Sequence, residues 1–385
     1  MLNRRGFLIT GGAVAIVGGV GAVGVAHGPG LSQARAPWEQ AGESFGDPRL
    51  DALSYAILAP NPHNRQPWQF DLVGDDRIDI YVDLARRLPH TDPFDRQITI
   101  GFGCMIELLR LAAAEKGYRV ETTPFPDGAP YPRLTGNRIA QVQFTADGAL
   151  ARDPLFANVL QRRSSKEPYD TARPVAPETL QSVIAGGQRA LDIGGTVDLA
   201  QRSRLIELAW EGFQIEMETD RTRRESIDLM RIGNRAVVEN PDGIDMGGIP
   251  MGLFKMTGIV SPKALDTPGS TAYQQGLDMY HPIIHSAQGF VWIKASKNTR
   301  QTQLEAGRAW VRMNLAAQQV GLGIHPLSQI LQEFPEMSGP YEGVRRELGV
   351  DRDGVAHMLG RVGYTKFPAA SPRWPLESKL ISSPA

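Results

Sequence analysis

Apolar and polar positions along this chain recur with two periods, and the order of those periods predicts its elements. At 77–83, Ile78, Ile80 and Val82 alternate with Asp79, Tyr81 and Asp83, the period of two of a half-buried strand. Residues 69–73 read as a neighbouring strand. Met105, Leu108, Leu109 and Ala112 recur at helical spacing and predict a long helix with one apolar face over 99–116. Two more strands, 118–123 and 139–145, flank a Pro/Gly-rich loop. Residues 48–59 predict a further helix, and 37–47 an irregular arm. After Asp153 the order begins again: a short helix, helices near 177–185 and 200–220, an irregular stretch, a strand at 289–294 and a helix at 301–320.

The two long helices end alike. Leu111-Ala-Ala-Ala-Glu-Lys-Gly117 aligns with Leu315-Ala-Ala-Gln-Gln-Val-Gly321, each closing on a glycine suited to a helix C-cap before an apolar strand start. With the matching strand–helix order, this predicts an internal duplication at an interval of about 200 residues.

Composition narrows the functional classes. A length of 385 residues allows a large core, and a formal net charge of -1 gives no reason to expect nucleic acid as a partner. The single cysteine, Cys104, excludes an internal disulfide, and its apolar setting predicts a buried structural thiol. His281 and His285 stand four apart, but Pro282 follows the first and no third ligand lies near, which favours a structural role over a metal site.

The first 36 residues form a separate segment. Arg4-Arg5-Gly-Phe-Leu8 and the uncharged glycine-rich run to Ala26 have the layout of a twin-arginine export signal. Ala34-Arg-Ala36 offers an A-x-A cleavage site, with Pro37 unfavourably placed behind it; an uncleaved signal would act as an anchor. Within the same run Gly19-Val-Gly21-Ala-Val-Gly24 fits G-x-G-x-x-G. No helix opens at the third glycine, and His27-Gly-Pro-Gly30 follows, so a dinucleotide site is not expected there.

Two polar segments carry the chemistry. In Leu58-Ala-Pro-Asn-Pro-His-Asn-Arg-Gln-Pro-Trp-Gln-Phe70, prolines and asparagines break the chain between a helix and a strand and set short polar side chains in a fixed turn anchored by Trp68. In Arg162-Arg-Ser-Ser-Lys166, two guanidinium groups and a hydroxyl suit phosphate oxygens. These segments resemble two motifs of the nitroreductase family of FMN flavoproteins: "A-P-S-S-x-N-x-Q-P-W-x-F", with Asn61 and Pro62 in the serine places, and "R-R-S-x-R/K-x-[FY]". Gly321-Leu-Gly-Ile-His-Pro-Leu-Ser-Gln329 is similar to the family's flavin-edge segment, with Ser328 and Gln329 in place of Glu-Gly. Leu359-Gly-Arg-Val-Gly-Tyr364 and Pro372-Arg-Trp-Pro-Leu-Glu377 resemble its closing segment.

The resemblance implies an α+β nitroreductase-like fold, internally duplicated, with a first half at 37–150 and a second at 151–385 after the signal at 1–36. It implies FMN as cofactor, bound by Pro60, Asn61, Asn64, Gln66, Arg162, Arg163, Ser164, Lys166, Ser328, Gln329 and Arg373. Lys166 would stand by the flavin ring and Arg373 would be the last phosphate ligand. No residue is singled out for proton transfer. In the family's dimers the R-R-S motif precedes the A-P-S-S-x-N motif; here the order is reversed and each half carries one. That resembles the Acg-type branch, in which one chain mimics the dimer, and implies a monomer with one complete site. The implied activity is two-electron reduction of a small nitroaromatic or quinone-like acceptor, with NAD(P)H a candidate donor and export by the twin-arginine machinery to an extracytoplasmic location. The alternatives are a flavin-storage protein with a closed lid and a cofactor-free descendant. The Met/Gly-rich stretch 230–256 is the candidate lid; its other reading is a core-covering insertion.

Overall fold

Two twenty-residue helices cross at the centre of this fold, each associated with a four-stranded antiparallel sheet. The structure, a computed structural model, describes residues 30–187, 191–248, 256 and 260–381. The twin-arginine segment and its glycine-rich run lie outside the described residues. The first half comprises α1 (Leu31–Gln40), α2 (Pro48–Ala56), β1 (Trp68–Val73), β2 (Arg77–Val82), α3 (Arg96–Glu115), β3 (Tyr118–Pro124) and β4 (Ala140–Ala146), with sheet order β1-β2-β4-β3. The second half opens with α4 (Pro177–Gly186), β5 (Asp192–Thr196), α5 (Leu199–Glu218), α6 (Asp220–Asp228), β6 (Met230–Ile232), α7 (Asn234–Glu239) and β7 (Ile244–Met246). It continues through α8 (Thr271–His285), β8 (Gly289–Ala295), α9 (Arg300–Gln319), β9 (Gly323–Pro326), α10 (Ser338–Glu347) and β10 (Val355–Gly363). Its main sheet runs β5-β8-β10-β9, and β6 and β7 form a separate parallel pair.

Local chemistry sets the boundaries. Pro48 opens α2 behind Asp47, whose side chain accepts from the Arg49 amide. Thr299 and Thr302 cap α9 reciprocally. After α3 and α9 the chain turns through Gly117 and Gly321 at φ 76° and 70°, a left-handed conformation that favours glycine. In β2, Ile78, Ile80 and Val82 are buried opposite Leu72, Phe70 and Trp68. Asp79, expected on the polar face, is buried too, and Arg77 and Arg138 each approach it at 3.3 Å.

Helix α3 is more deeply buried than its periodicity predicts: only Arg110 and Glu115 are not buried. It packs between α9 and α2, so no face meets solvent, and one apolar core unites residues of both halves. The fully buried Glu107 survives there because Arg110, Arg308 and Arg312 surround it. Cys104 is buried as expected; its thiol donates to Gly307 O at 3.1 Å, and burial pushes it up to about 12.

Three expectations change. The arm at 37–47 is in part helical: α1 extends to Gln40 and begins before the expected boundary at residue 36. Pro37 is tolerated inside it because Leu31, Ala34 and Trp38 are buried against the fold. The irregular stretch before residue 289 holds α8, started by Ser270, which accepts from the Tyr273 amide. Residues 359–363, read only as part of a motif, belong to β10, which is buried along its whole length.

Candidate functional site

The turn after α2 and the segment after residue 160 meet at the C-terminal end of α2. Arg373 donates to the carbonyls of Ile57, Leu58 and Ala59, and Arg162 Nη2 to Leu58 O at 3.1 Å. Cations there complement the negative end of the helix dipole. An isolated bridge between Ser164 and Ile324, with the Ser165 amide donating to Ile324 O, seats the Arg-Arg-Ser-Ser-Lys segment beside β9.

The two arginines differ in what they have left to give. Arg373 commits Nε, Nη1 and Nη2 to six protein acceptors, including Asn64 Oδ1 at 2.6 Å, so its five N–H groups are all engaged. Arg162 is 3% exposed, and its Nε and Nη1 are buried without a partner. The Ser165 hydroxyl is likewise buried and unpartnered. Burial and the neighbouring Arg163 bring the Arg162 guanidinium down to about 10. Among the described residues no carboxylate pairs with Arg162, Arg163 or Arg373. Instead all three guanidinium groups lie over the Trp38 ring, at 5.9, 4.6 and 5.4 Å from its centroid. A buried cation cluster of this kind, with orphaned donors, fits an anion of phosphate type.

The other residues singled out in the first half mostly hold the turn itself. Gln66 is fully buried: Nε2 donates to Pro241 O at 2.8 Å and Oε1 accepts from the Trp374 amide at 2.9 Å. Asn61 accepts from the Gln66 amide and donates to Ala59 O; Asn64 bonds Arg373 and Pro372 O. Pro60, Arg163, Ser164, Ser328 and Gln329 are half-buried, and Arg163 Nη1 donates to the carbonyls of Leu160 and Arg162.

Lys166 is exposed at its surface, and desolvation by the surrounding protein lowers its ammonium, with Glu216 opposing. Three groups that sequence patterns did not single out couple to it electrostatically. His63, on the 3-10 turn Pro62–Asn64 with φ 46°, is brought down to about 3 by burial and then by Lys166. His325 is held well below its usual range by burial, Arg361 and Lys166; Arg361 Nε donates to its Nδ1 at 2.9 Å, which leaves the ring proton on Nε2. Glu216 on α5 is pushed up to about 7 by burial, against Ser226, Gln332 and Lys166. Trp38 was masked in the sequence by Pro37 and the A-x-A triplet; the spacing of Leu31, Ala34 and Trp38 was the available signal.

Of the stretch 230–256, residues 249–255 lie outside the described residues. The part before them is pinned: Asp242 is held by Arg65, Arg86 and Arg231 at 3.4, 2.6 and 2.7 Å. His281 and His285 stack on each other at 3.8 Å and edge-on to Trp210.

The profile of the Nitroreductase family matches residues 159–364, just over half of the chain. Over 323 residues the chain is 24% identical to the "Putative NAD(P)H nitroreductase Rv3131" of Mycobacterium tuberculosis, covering 82% of this chain and 85% of that one. It is 27% identical over 124 residues to the "Uncharacterized protein Rv3127" of the same organism, 31% of this chain and 35% of the relative; the match thus spans about a third of that relative's length. Among solved structures, the FMN-dependent nitroreductase NfnB of Mycobacterium smegmatis, solved in complex with NADPH, aligns with a TM-score of 0.35 at 20% identity over 57% of this chain and 92% of that one.

Proposed function

The chain belongs to the nitroreductase family, and on that premise we propose that it is an FMN-dependent oxidoreductase reducing nitroaromatic or quinone-like acceptors by two electrons in a ping-pong cycle. Arg162 carries this reading: a buried guanidinium with two unpartnered nitrogens, flanked by Arg163 and the unpartnered Ser165 hydroxyl, suits the terminal phosphate of FMN. Arg373 would act one step back, fixing Asn64 and the end of α2 rather than gripping the phosphate. Bound FMN would supply the ring that takes up and hands on a hydride. Lys166, at the end of the same segment, would place a positive charge where electron uptake adds a negative one. The names of the M. tuberculosis relatives support NAD(P)H as donor.

We infer further that one chain forms the whole site, as in the Acg-type branch. The turn at 61–66 comes from the first half, Arg162 to Lys166 from the second, and the halves share one core. A monomer holding one FMN follows, with residues 37–150 and 151–385 as the duplicated halves. The twin-arginine layout supports export, with an uncleaved signal serving as an anchor. A storage role is the second reading, favoured by Trp38 and α1 lying across the arginine cluster.

The test is to purify the full chain, release its cofactor and follow its spectrum. It should be yellow, release FMN rather than FAD at one per chain, bleach with NAD(P)H and recover with a quinone at about 1 per second or faster. A colourless chain that fails to bind added FMN overturns the reading. A yellow chain that no donor bleaches transfers it to storage.

A further inference from the structure

Glu216, Ser226 and His63 form a hydrogen-bonded line from the second half of the chain to the first. Gln332 Nε2 donates to Glu216 Oε2 at 2.9 Å, Ser226 Oγ donates to Glu216 Oε1 at 2.9 Å, and His63 Nε2 lies 3.1 Å from Ser226 Oγ. The three residues sit on α5, on α6 and on the 3-10 turn Pro62–Asn64. Glu216 and Ser226 are buried; His63 is half-buried, and among the described residues its Nδ1 makes no hydrogen bond. His63 also holds a left-handed backbone conformation at φ 46°, as do Asn64 and Gln66 in the same turn. Lys166 couples to both ends of the line.

We propose that this line is a proton relay serving the electron acceptor, with His63 the catalytic residue that meets the acceptor and Ser226 and Glu216 positioning residues that act through it. The proposal rests on the oxidoreductase reading above, which supplies the hydride from reduced flavin. A quinone that becomes a hydroquinone takes up one hydride and one proton, and the relay supplies the proton. Starting from the Glu216 carboxylic acid, its proton passes to Ser226 Oγ while the Ser226 proton passes to His63 Nε2. The Nδ1 proton of His63 passes to the acceptor oxygen. Glu216 ends as a carboxylate accepting from Ser226 and Gln332, and His63 ends as its other neutral tautomer. The imidazole never becomes a cation, in keeping with its burial beside Lys166. Solvent protonation of Glu216 and reversal of the tautomer reset the line.

The surroundings suit Glu216 to hold a proton near neutrality. Burial pushes its carboxyl up to about 7 and Glu225 adds to this, while Ser226, Gln332 and Lys166 oppose it. The Tyr280 phenol, raised by burial and by Glu216, is the other titratable group facing it; Arg361 faces Tyr280 in turn.

Two measurements test the relay. In the flavin-free chain, the ring nitrogens of His63, labelled with nitrogen-15, should shift with a midpoint near pH 7 as Glu216 titrates, although the ring itself gains no proton there. Glu216→Gln should abolish that midpoint. In the flavin-loaded chain, quinone reduction needs a proton and ferricyanide reduction does not, so the ratio of the two rates isolates proton delivery. That ratio should fall about a hundredfold or more in both Glu216→Gln and Ser226→Ala, the lower range for lost proton transfer, and its decline above pH 7 should vanish in Glu216→Gln. An unchanged ratio in both variants, or a His63 signal blind to Glu216, overturns the relay. A chain that binds no FMN overturns the oxidoreductase reading instead and takes the delivery step with it, whatever His63 reports.

Discussion

Gly103 and Gly307 touch where α3 crosses α9. A Cβ on Gly103 would stand 2.0 Å from Leu304 O, and one on Gly307 would stand 1.9 Å from Ile100 O. The interval between them equals that between Gly117 and Gly321, so the positions paired by the sequence repeat also meet in space. Arg96 and Arg300, the first residues of the two helices, stand at the same interval. Arg96 reaches Glu333, Leu331 O and His357 O in the second half; Arg300 reaches Pro130 O and Pro132 O in the first. Gly103→Ala, or Gly307→Ala, should therefore destabilise the chain by about 1–3 kcal/mol, although alanine favours helices elsewhere. The midpoint of urea unfolding measures this; an unchanged midpoint would mean that the crossing is looser than the backbone contact implies.

Arg162 separates ligand binding from stability. Arg162→Met removes a buried cation with two unpartnered nitrogens, so the flavin-free chain should melt at the same or a higher temperature. FMN affinity should nevertheless fall roughly tenfold or more, as expected for a lost charge-assisted bond. Melting scans with and without FMN read both effects. A lower melting temperature in both would make Arg162 a structural residue only.

The A-x-A triplet lies inside α1, where Ala34 is 4% exposed and its carbonyl accepts from the Arg373 amide at 2.8 Å. Cleavage after Ala36 would remove Leu31, Ala34 and the Arg35–Asp245 pair at 3.1 Å. A chain beginning at Pro37 should melt at a lower temperature than one beginning at Gly30, and the N-terminus of any processed form should map upstream of Leu31 by mass spectrometry. Recovery of Pro37 as the natural N-terminus in a fully stable protein would contradict this.

Glu216 and His63 pull stability in opposite directions with pH. The Glu216 carboxyl is raised from 4.5 to about 7, so the native state holds a proton that the unfolded chain lacks; its contribution is full below 4.5 and lost as pH rises through 7. His63 is lowered from 6.5 to about 3; its contribution is full above 6.5 and lost as pH falls through 3. Between pH 4.5 and 6.5 the two offset each other. Glu216→Gln removes only the first, so the variant should lose stability more steeply than the parent as pH falls through this window. Denaturant unfolding at a series of pH values gives the slopes, and parallel slopes would show that Glu216 titrates normally.

The sequence by itself determined what depends on neighbours along the chain. Ile78, Ile80 and Val82 announce β2, the apolar spacing around Met105 announces α3, and Gly117 and Gly321 announce the helix ends because their backbone angles need glycine. The Arg162 to Lys166 segment was legible for the same reason: its charges are contiguous. Only the tertiary structure decided which arginine keeps free donors. Arg162 and Arg373 look equivalent as residues, but six acceptors drawn from 57–59, 64 and 371–372 exhaust Arg373 and leave Arg162 unsatisfied. The Glu216–Ser226–His63 line was invisible for a related reason. His63 lies 163 residues from Ser226 in sequence, and a carboxyl becomes a proton store at neutral pH only when the fold removes its water. Burial and long-range hydrogen bonding are set by the assembled chain, and no local pattern records them.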